Sequence, residues 1–162
     1  MQPDYEGVGR DIVDCAVKMH VRLGPGLLES TYKLLLARVL GRKGHLVERE
    51  RSLALDFDGI HIDNAYRVDL LVDGCVVVEL KAVERLPPAA KRQAFTYLTI
   101  LDLPLGYLLN FGAPVMKDGI DRIVNFRASD SSFLRVRHSV VSVAGSRSSA
   151  GIRTRSLSLP ES

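Results

Sequence analysis

Residues 66–84 read YRVDLLVDGCVVVELKAVE, and the fold follows from how this stretch is taken. Two apolar segments of alternating period flank Asp73-Gly74, a dipeptide that closes tight hairpins because it tolerates positive φ. Two neighbouring strands are therefore expected. Strand side chains alternate faces, which puts Arg67, Asp69 and Leu71 on one side and Tyr66, Val68 and Leu70 on the other. On the following strand Cys75, Val77, Glu79 and Lys81 lie together, opposite Val76, Val78 and Leu80. Asp69, Glu79 and Lys81 thus sit within strands too apolar for an exposed edge, which places them at a wet cleft near the end of a sheet. A buried carboxylate without a partner is costly, and two pushed together repel. A divalent cation removes both problems, and oxygen-only ligands suit Mg²⁺ or Mn²⁺. Such a site favours phosphodiester hydrolysis, with Lys81 orienting the attacking water and balancing developing charge. The plainer alternative is three ordinary strand charges in local ion pairs.

Working outward, residues 5–22 repeat apolar side chains (Val8, Ile12, Cys15, Val17, Met19, Leu23) at nearly helical spacing. Gly24-Pro25-Gly26 breaks that helix. A second stripe of Leu28, Tyr32, Leu35, Leu36, Val39 and Leu40 follows, with Gly26 as its expected N-cap and Glu29 at the third helical position. Tyr32 is expected to pack in the core. LVERERSLALDFDG (46–59) alternates, with Leu53, Leu55 and Phe57 sharing a face and Asp58-Gly59 ending it. Pro87-Pro88 opens a third helix over 88–101 with Phe95, Leu98 and Leu101 inward, and LGYLLNF and IDRIVNF close the chain's regular part as strands.

With 22 basic and 19 acidic residues among 162, the net charge of +3 resides in the last segment. Residues 128–162 hold five arginines against Asp130 and Glu161, which leaves residues 1–127 with 17 of each sign. The neutral body argues against a highly basic nucleic-acid platform, and the serine- and arginine-rich end is expected to be a flexible tail. One domain over 1–127 is the expected organisation, large enough for a real core. No apolar run suggests a membrane span. Cys15 and Cys75 give neither a disulfide framework nor metal spacing and read as reduced core residues of a cytoplasmic protein. His20, His45, His61 and His138 are scattered without ligand spacing. Arg49, Arg51, Lys91 and Arg92 are candidates to line a nucleic-acid path, solvated faces being the default for such charges.

An aspartate followed by Glu-x-Lys on the next strand resembles the PD-(D/E)xK nuclease superfamily, whose core runs helix, three strands, helix, strand. Gln93 and Tyr97 in QAFTY, four apart on one helical face, resemble the Q-x-x-x-Y motif of its RecB-like and phage-exonuclease branch. Gly26-x-x-Glu29-x-x-Tyr32 is similar to the signature of the GxxExxY proteins assigned to that superfamily. The resemblance covers roughly residues 5–126 in family order. It implies an α/β (α+β) restriction-endonuclease-like core, a mixed sheet flanked by helices in the order α-α-β-β-β-α-β-β. It also implies that Asp69, Glu79 and the Leu80 carbonyl hold Mg²⁺ (or Mn²⁺), that Lys81 assists the water and that Glu29 is a supporting acid. Gln93 and Tyr97 would orient the Lys81 region or touch nucleic-acid backbone. Apart from the resemblance, Arg67 shares a strand face with Asp69 and is expected to pair with it or touch a phosphate. The implied substrate is DNA ahead of RNA. Tyr66-Arg67-Val68-Asp69 lacks the proline that often precedes the aspartate. The competing expectation is a catalytically inactive module of the same fold that binds nucleic acid or a protein partner.

Overall fold

The computed structural model describes residues 4–128, so the expected tail, from residue 129 on, lies outside the described residues. Helix α1 (Tyr5–Leu23) starts where Asp4 accepts a hydrogen bond from Gly7 N at 2.8 Å and stops at Gly24, whose φ of 68° is left-handed. Helix α2 (Glu29–Arg42) follows. Strands β1 (Val47–Phe57), β2 (Ile60–Val72) and β3 (Val76–Lys81) come next, then α3 (Pro88–Leu101), β4 (Leu105–Asn110), a 3₁₀ turn (Met116–Gly119) and β5 (Ile120–Val124). The helix–helix–three-strand–helix–two-strand order read from the sequence is the order found. The strands form one sheet in chain order. Only β3 and β4 run parallel, joined by the α3 crossover; the other neighbours are antiparallel.

The sheet separates two cores. On one face α1 and α2 bury Ile12, Leu36 and Leu40 against Leu70, Val78, Leu80 and Leu109. On the other, α3 buries Tyr97, Leu98 and Leu101 against Leu53, Val68, Leu71 and Val77. Each fully buried side chain of this kind stabilises the fold by about 1.5–3 kcal/mol. Tyr32 is fully buried and stacks on Phe111 with ring centres 4.4 Å apart. Its hydroxyl donates to Gly24 O at 2.5 Å and accepts from Leu27 N at 3.2 Å, so this packing residue also ties down the α1–α2 loop.

Four local expectations change. The cap of α2 is Leu28, not Gly26, and Glu29 is the first helical residue rather than the third; Gly26, at φ 120°, belongs to the chain reversal instead. Phe95 does not point inward but is 42% exposed, and Ala90, Ala94 and Tyr97 join Leu98 and Leu101 in the buried stripe. Phe57 does not share the buried face of Leu53: the β1–β2 register shifts between Leu53 and Leu55, and the hairpin tip extends past the sheet with Phe57 69% exposed. Finally, β2 does not alternate evenly. Tyr66 and Val68 pack on the α3 side, whereas Leu70 and Val72 pack on the α1–α2 side with Leu71 opposite. The break falls at Asp69.

Cys15 and Cys75 are both buried and free. Among the described residues no helix is long and apolar enough to cross a membrane. His20 is buried with Nε2 2.8 Å from Ala113 O, a satisfied core histidine. His45 joins separate elements: Nδ1 is 2.6 Å from Asp73 Oδ2 in the β2–β3 turn, and Nε2 is 3.0 Å from Asp11 Oδ2 on α1. The Asp73 bond, with Asp11 behind it, raises the imidazole pKa from its ordinary 6.5 against the opposing effect of burial. A raised folded-state value means that protonated His45 contributes stability in full below about pH 6.5, lost as pH rises through the folded value. We therefore expect the melting-temperature gap between wild type and His45→Gln to be widest near pH 6 and to close towards pH 9.

Candidate active site

The cleft is built where β2 and β3 part. Their ladder pairs Val72 with Val76, Leu71 with Val77 and Leu70 with Val78, then ends. Continued by one step, that register sets Asp69 opposite Glu79. Instead of a main-chain bond at this level, Asp69 Oδ2 accepts from Leu80 N at 2.9 Å. The carboxylate thus completes the sheet edge where the strands splay, and the main chain of Leu80 lies beside both acids.

On its other flank Asp69 stands opposite Glu50. The β1–β2 ladder pairs Arg49 with Leu70 and Arg51 with Val68 but skips the residue between them, and Glu50 has a φ of 52°. A non-glycine residue in this region costs free energy and is held there by its surroundings. Like charges directly opposite on neighbouring strands also destabilise a sheet. The irregularity at this pair coincides with the change of face in β2.

Lys33 relieves the repulsion. Its Nζ lies 2.5 Å from Asp69 Oδ1, 3.2 Å from Glu29 Oε1 and 3.8 Å from Glu50 Oε1. Burial opposes its charge, but the hydrogen bonds and charges of Asp69 and Glu29 outweigh that, so its pKa lies above the ordinary lysine value. Lys81 plays the corresponding part for Glu79, with Nζ 3.0 Å from Oε1. The other oxygen, Glu79 Oε2, is buried and accepts no hydrogen bond among the described residues. Burial first, and repulsion by Asp69 second, raise the Glu79 pKa above its ordinary value; Lys81 offsets them only in part.

Asp69 and Glu79 border a cleft of about 540 Å³, which Arg67, Gln93 and Tyr97 also line. Gln93 donates from Nε2 to Tyr97 Oη at 2.5 Å, and Tyr97 makes an edge contact with Tyr66 at 5.9 Å between ring centres. Burial, reinforced by the Glu79 charge, pushes the Tyr97 hydroxyl up to about 12, so it stays a neutral phenol. The Lys81 end of β3 is pinned by Asn110, which bonds Val83 through both N–H and C=O and also accepts from Gly112 N.

Of the residues singled out from sequence, Asp69, Glu79, Arg67, Gln93 and Tyr97 come together on the cleft, with Lys81 held on Glu79. Glu29 reaches the cluster through Lys33. Arg67 pairs with Glu50 at 2.7 Å, not with Asp69 as expected, because the kink at Asp69 breaks their shared face. Arg51 and Lys91, considered for a nucleic-acid path, pair with Glu48 and with Asp121. Sequence reading missed Lys33 and Glu50. Lys33 had a usable signal, since Glu29 and Lys33 stand at the i,i+4 spacing of a helical ion pair. Glu50 had none, being one charge among many in VERER.

Among the described residues no three acidic, imidazole or thiol groups converge closely enough to hold a metal as they stand, and lysine ammoniums lie among the carboxylates. The donor chemistry nevertheless fits a hard divalent cation: the ligands on offer are oxygens, and one of them is orphaned and buried.

A five-stranded mixed sheet sandwiched by helices, with paired acids and a lysine where its strands splay, defines a restriction-endonuclease-like α+β fold. The chain belongs to the PD-(D/E)XK nuclease superfamily, whose family model matches residues 6–123. Members of that superfamily are generally nucleases, act on nucleic acid and typically use divalent metals. No curated protein and no solved structure matches the chain.

Proposed function

We propose that this protein is a Mg²⁺- or Mn²⁺-dependent nuclease that hydrolyses phosphodiester bonds, with DNA preferred to RNA, and that it works in the cytoplasm. The observation that carries the reading is the buried Glu79 Oε2 beside Asp69, which accepts no hydrogen bond among the described residues and whose charge burial and Asp69 both disfavour. Asp69, Glu79 and the Leu80 carbonyl would hold the ion, and Glu29 would support them. Bound there, a divalent cation would supply Lewis-acid neutralisation of the scissile phosphate. Lys81, fixed on Glu79 at 3.0 Å, holds an ammonium beside a cleft carboxylate, where it can orient a water and offset negative charge as it develops. Gln93 and Tyr97 contribute a neutral donor pair to the wall, suited to a phosphodiester backbone, and agree with the narrower GxxExxY and RecB-like placement. Arg67, largely exposed and held by Glu50, is a further phosphate contact.

The test is a nuclease assay with Mg²⁺ and EDTA controls on wild type, Glu79→Ala and Lys81→Ala. Each substitution is expected to lower the metal-dependent rate by about 10²-fold or more; equal cleavage by all three would mean that the activity is a contaminant. One observation favours a second reading, a catalytically inactive module that binds nucleic acid or a protein partner. The charge cluster joined to the cleft acids lacks a basic excess: counted as ionised, Glu29, Glu50, Asp69 and Glu79 outnumber Lys33, Lys81 and Arg67 by one. That reading requires binding that ignores metal and survives Lys81→Ala.

A further inference from the structure

We propose that Lys33 is a built-in stand-in for the divalent cation: its ammonium gathers Asp69, Glu29 and Glu50, and must leave Asp69 before that carboxylate can take a hard cation. This rests on the reading of the cleft as a divalent-cation site. The argument begins with geometry. A single Nζ contacts carboxylates from three elements, α2, β1 and β2, at 3.2, 3.8 and 2.5 Å. It reaches the Asp69 oxygen that Leu80 N leaves free, since the backbone takes Oδ2 and Lys33 takes Oδ1. A lysine from a helix has no need to be there for packing, because the apolar stripe of α2 is completed by Tyr32, Leu36 and Leu40.

Charge gives the second strand. With Lys33 in place, the four carboxylates exceed the three cations by one; with Lys33 gone the excess is two, the charge of the ion expected there. Glu50 and Asp69 face one another across paired strands, and while Arg67 holds Glu50, Lys33 is the cation on Asp69. Lys33 therefore relieves the repulsion at Asp69 until an ion replaces it. Its long flexible stem lets the ammonium withdraw without moving the helix, which an arginine fork or a backbone group could not do as easily. The consequence is a higher divalent-cation threshold than the oxygen ligands alone would set, because each ion must displace a bound ammonium.

Calorimetric titration with Mn²⁺ of the full chain tests this. Lys33→Met is expected to bind about tenfold more tightly than wild type, a competitor worth roughly 1.4 kcal/mol being removed. Lys33→Arg, which retains the charge and withdraws less easily, should bind no more tightly than wild type. If Lys33→Met does not fold, as judged by circular dichroism, Lys33→Gln takes its place with the same expectation. In the wild type, ¹⁵N spectra of the lysine ammoniums should show the Lys33 signal change from carboxylate-bound to solvent-averaged as Mg²⁺ is added. Equal Mn²⁺ affinity in wild type and Lys33→Met, or a Lys33 signal indifferent to Mg²⁺ in a chain that binds it, would overturn the role of Lys33 alone. No Mn²⁺ binding by any folded variant would overturn the metal reading itself, and this inference with it.

Discussion

Replacing Glu79 by glutamine is expected to raise the melting temperature at pH 8 while abolishing divalent-cation binding in the cleft. The sign follows from the pKa. A carboxyl whose folded-state value lies above its ordinary 4.5 binds its proton more tightly in the folded chain than in the unfolded one. Ionising it therefore costs stability: the penalty is absent below about pH 4.5 and grows as pH rises through the folded value. Glutamine abolishes the charge and keeps an amide oxygen for Lys81. Relief of a buried, unsatisfied charged group is of the order of 1–3 kcal/mol, or roughly 3–10 °C for a domain of this size. Thermal melts of both chains at pH 4.5 and pH 8 decide it. If the variant melts no higher than wild type at pH 8, Lys81 fully compensates Glu79 and the strain inferred at this residue is not there.

Asp69→Ala should do the opposite to stability. The carboxylate has a partner on each oxygen, Leu80 N at 2.9 Å and Lys33 Nζ at 2.5 Å, and it is almost wholly buried. Removing it leaves an orphaned backbone donor where β2 and β3 part and a half-buried ammonium without its closest counter-ion. Breaking such a pair from one side costs about 3–5 kcal/mol, a fall in melting temperature on the order of 10–20 °C. Asp69→Asn, which keeps an acceptor for one partner, should fall between. An Asp69→Ala variant melting within a few degrees of wild type would contradict the structural role given to this residue. Together the two substitutions make a signature: both remove a proposed ligand, one stabilises and the other destabilises.

The two acids stand at the same level, one step beyond the last β2–β3 pair, and differ in what they bond. Asp69 is recruited to finish the backbone bonding at Leu80 N, whereas Glu79, among the described residues, is bonded by Lys81 alone. A carboxylate with structural work to do cannot be separated from function by mutation, whereas one without it can.

Much of this was legible in the residues. Period-two alternation on either side of Asp73-Gly74 identified β2 and β3, but not their register: a two-residue turn would pair Val72 with Cys75, whereas Val72 pairs with Val76, and this is what sets Asp69 level with Glu79. The helical spacing of Gln93 and Tyr97 put both on one wall, where they are bonded. Buried Tyr32 followed from its place in an apolar stripe. What alternation could not supply was the kink at the Glu50–Asp69 pair. A left-handed glutamate leaves no mark in a charged run, and it is this local break that turns Arg67 away from Asp69 and onto Glu50.

From its residues alone, then, the chain declared its element order, its superfamily and the placement of Asp69, Glu79 and Lys81 on neighbouring strands, because periodicity and motif spacing are local and survive being read one after another. Tertiary structure alone decided which cation faces which acid. Lys33 and Asp69 are far apart in the chain, and only the packing of α2 over the splayed strands closes them to 2.5 Å. Charge pairing depends on distances through space, which no local pattern encodes.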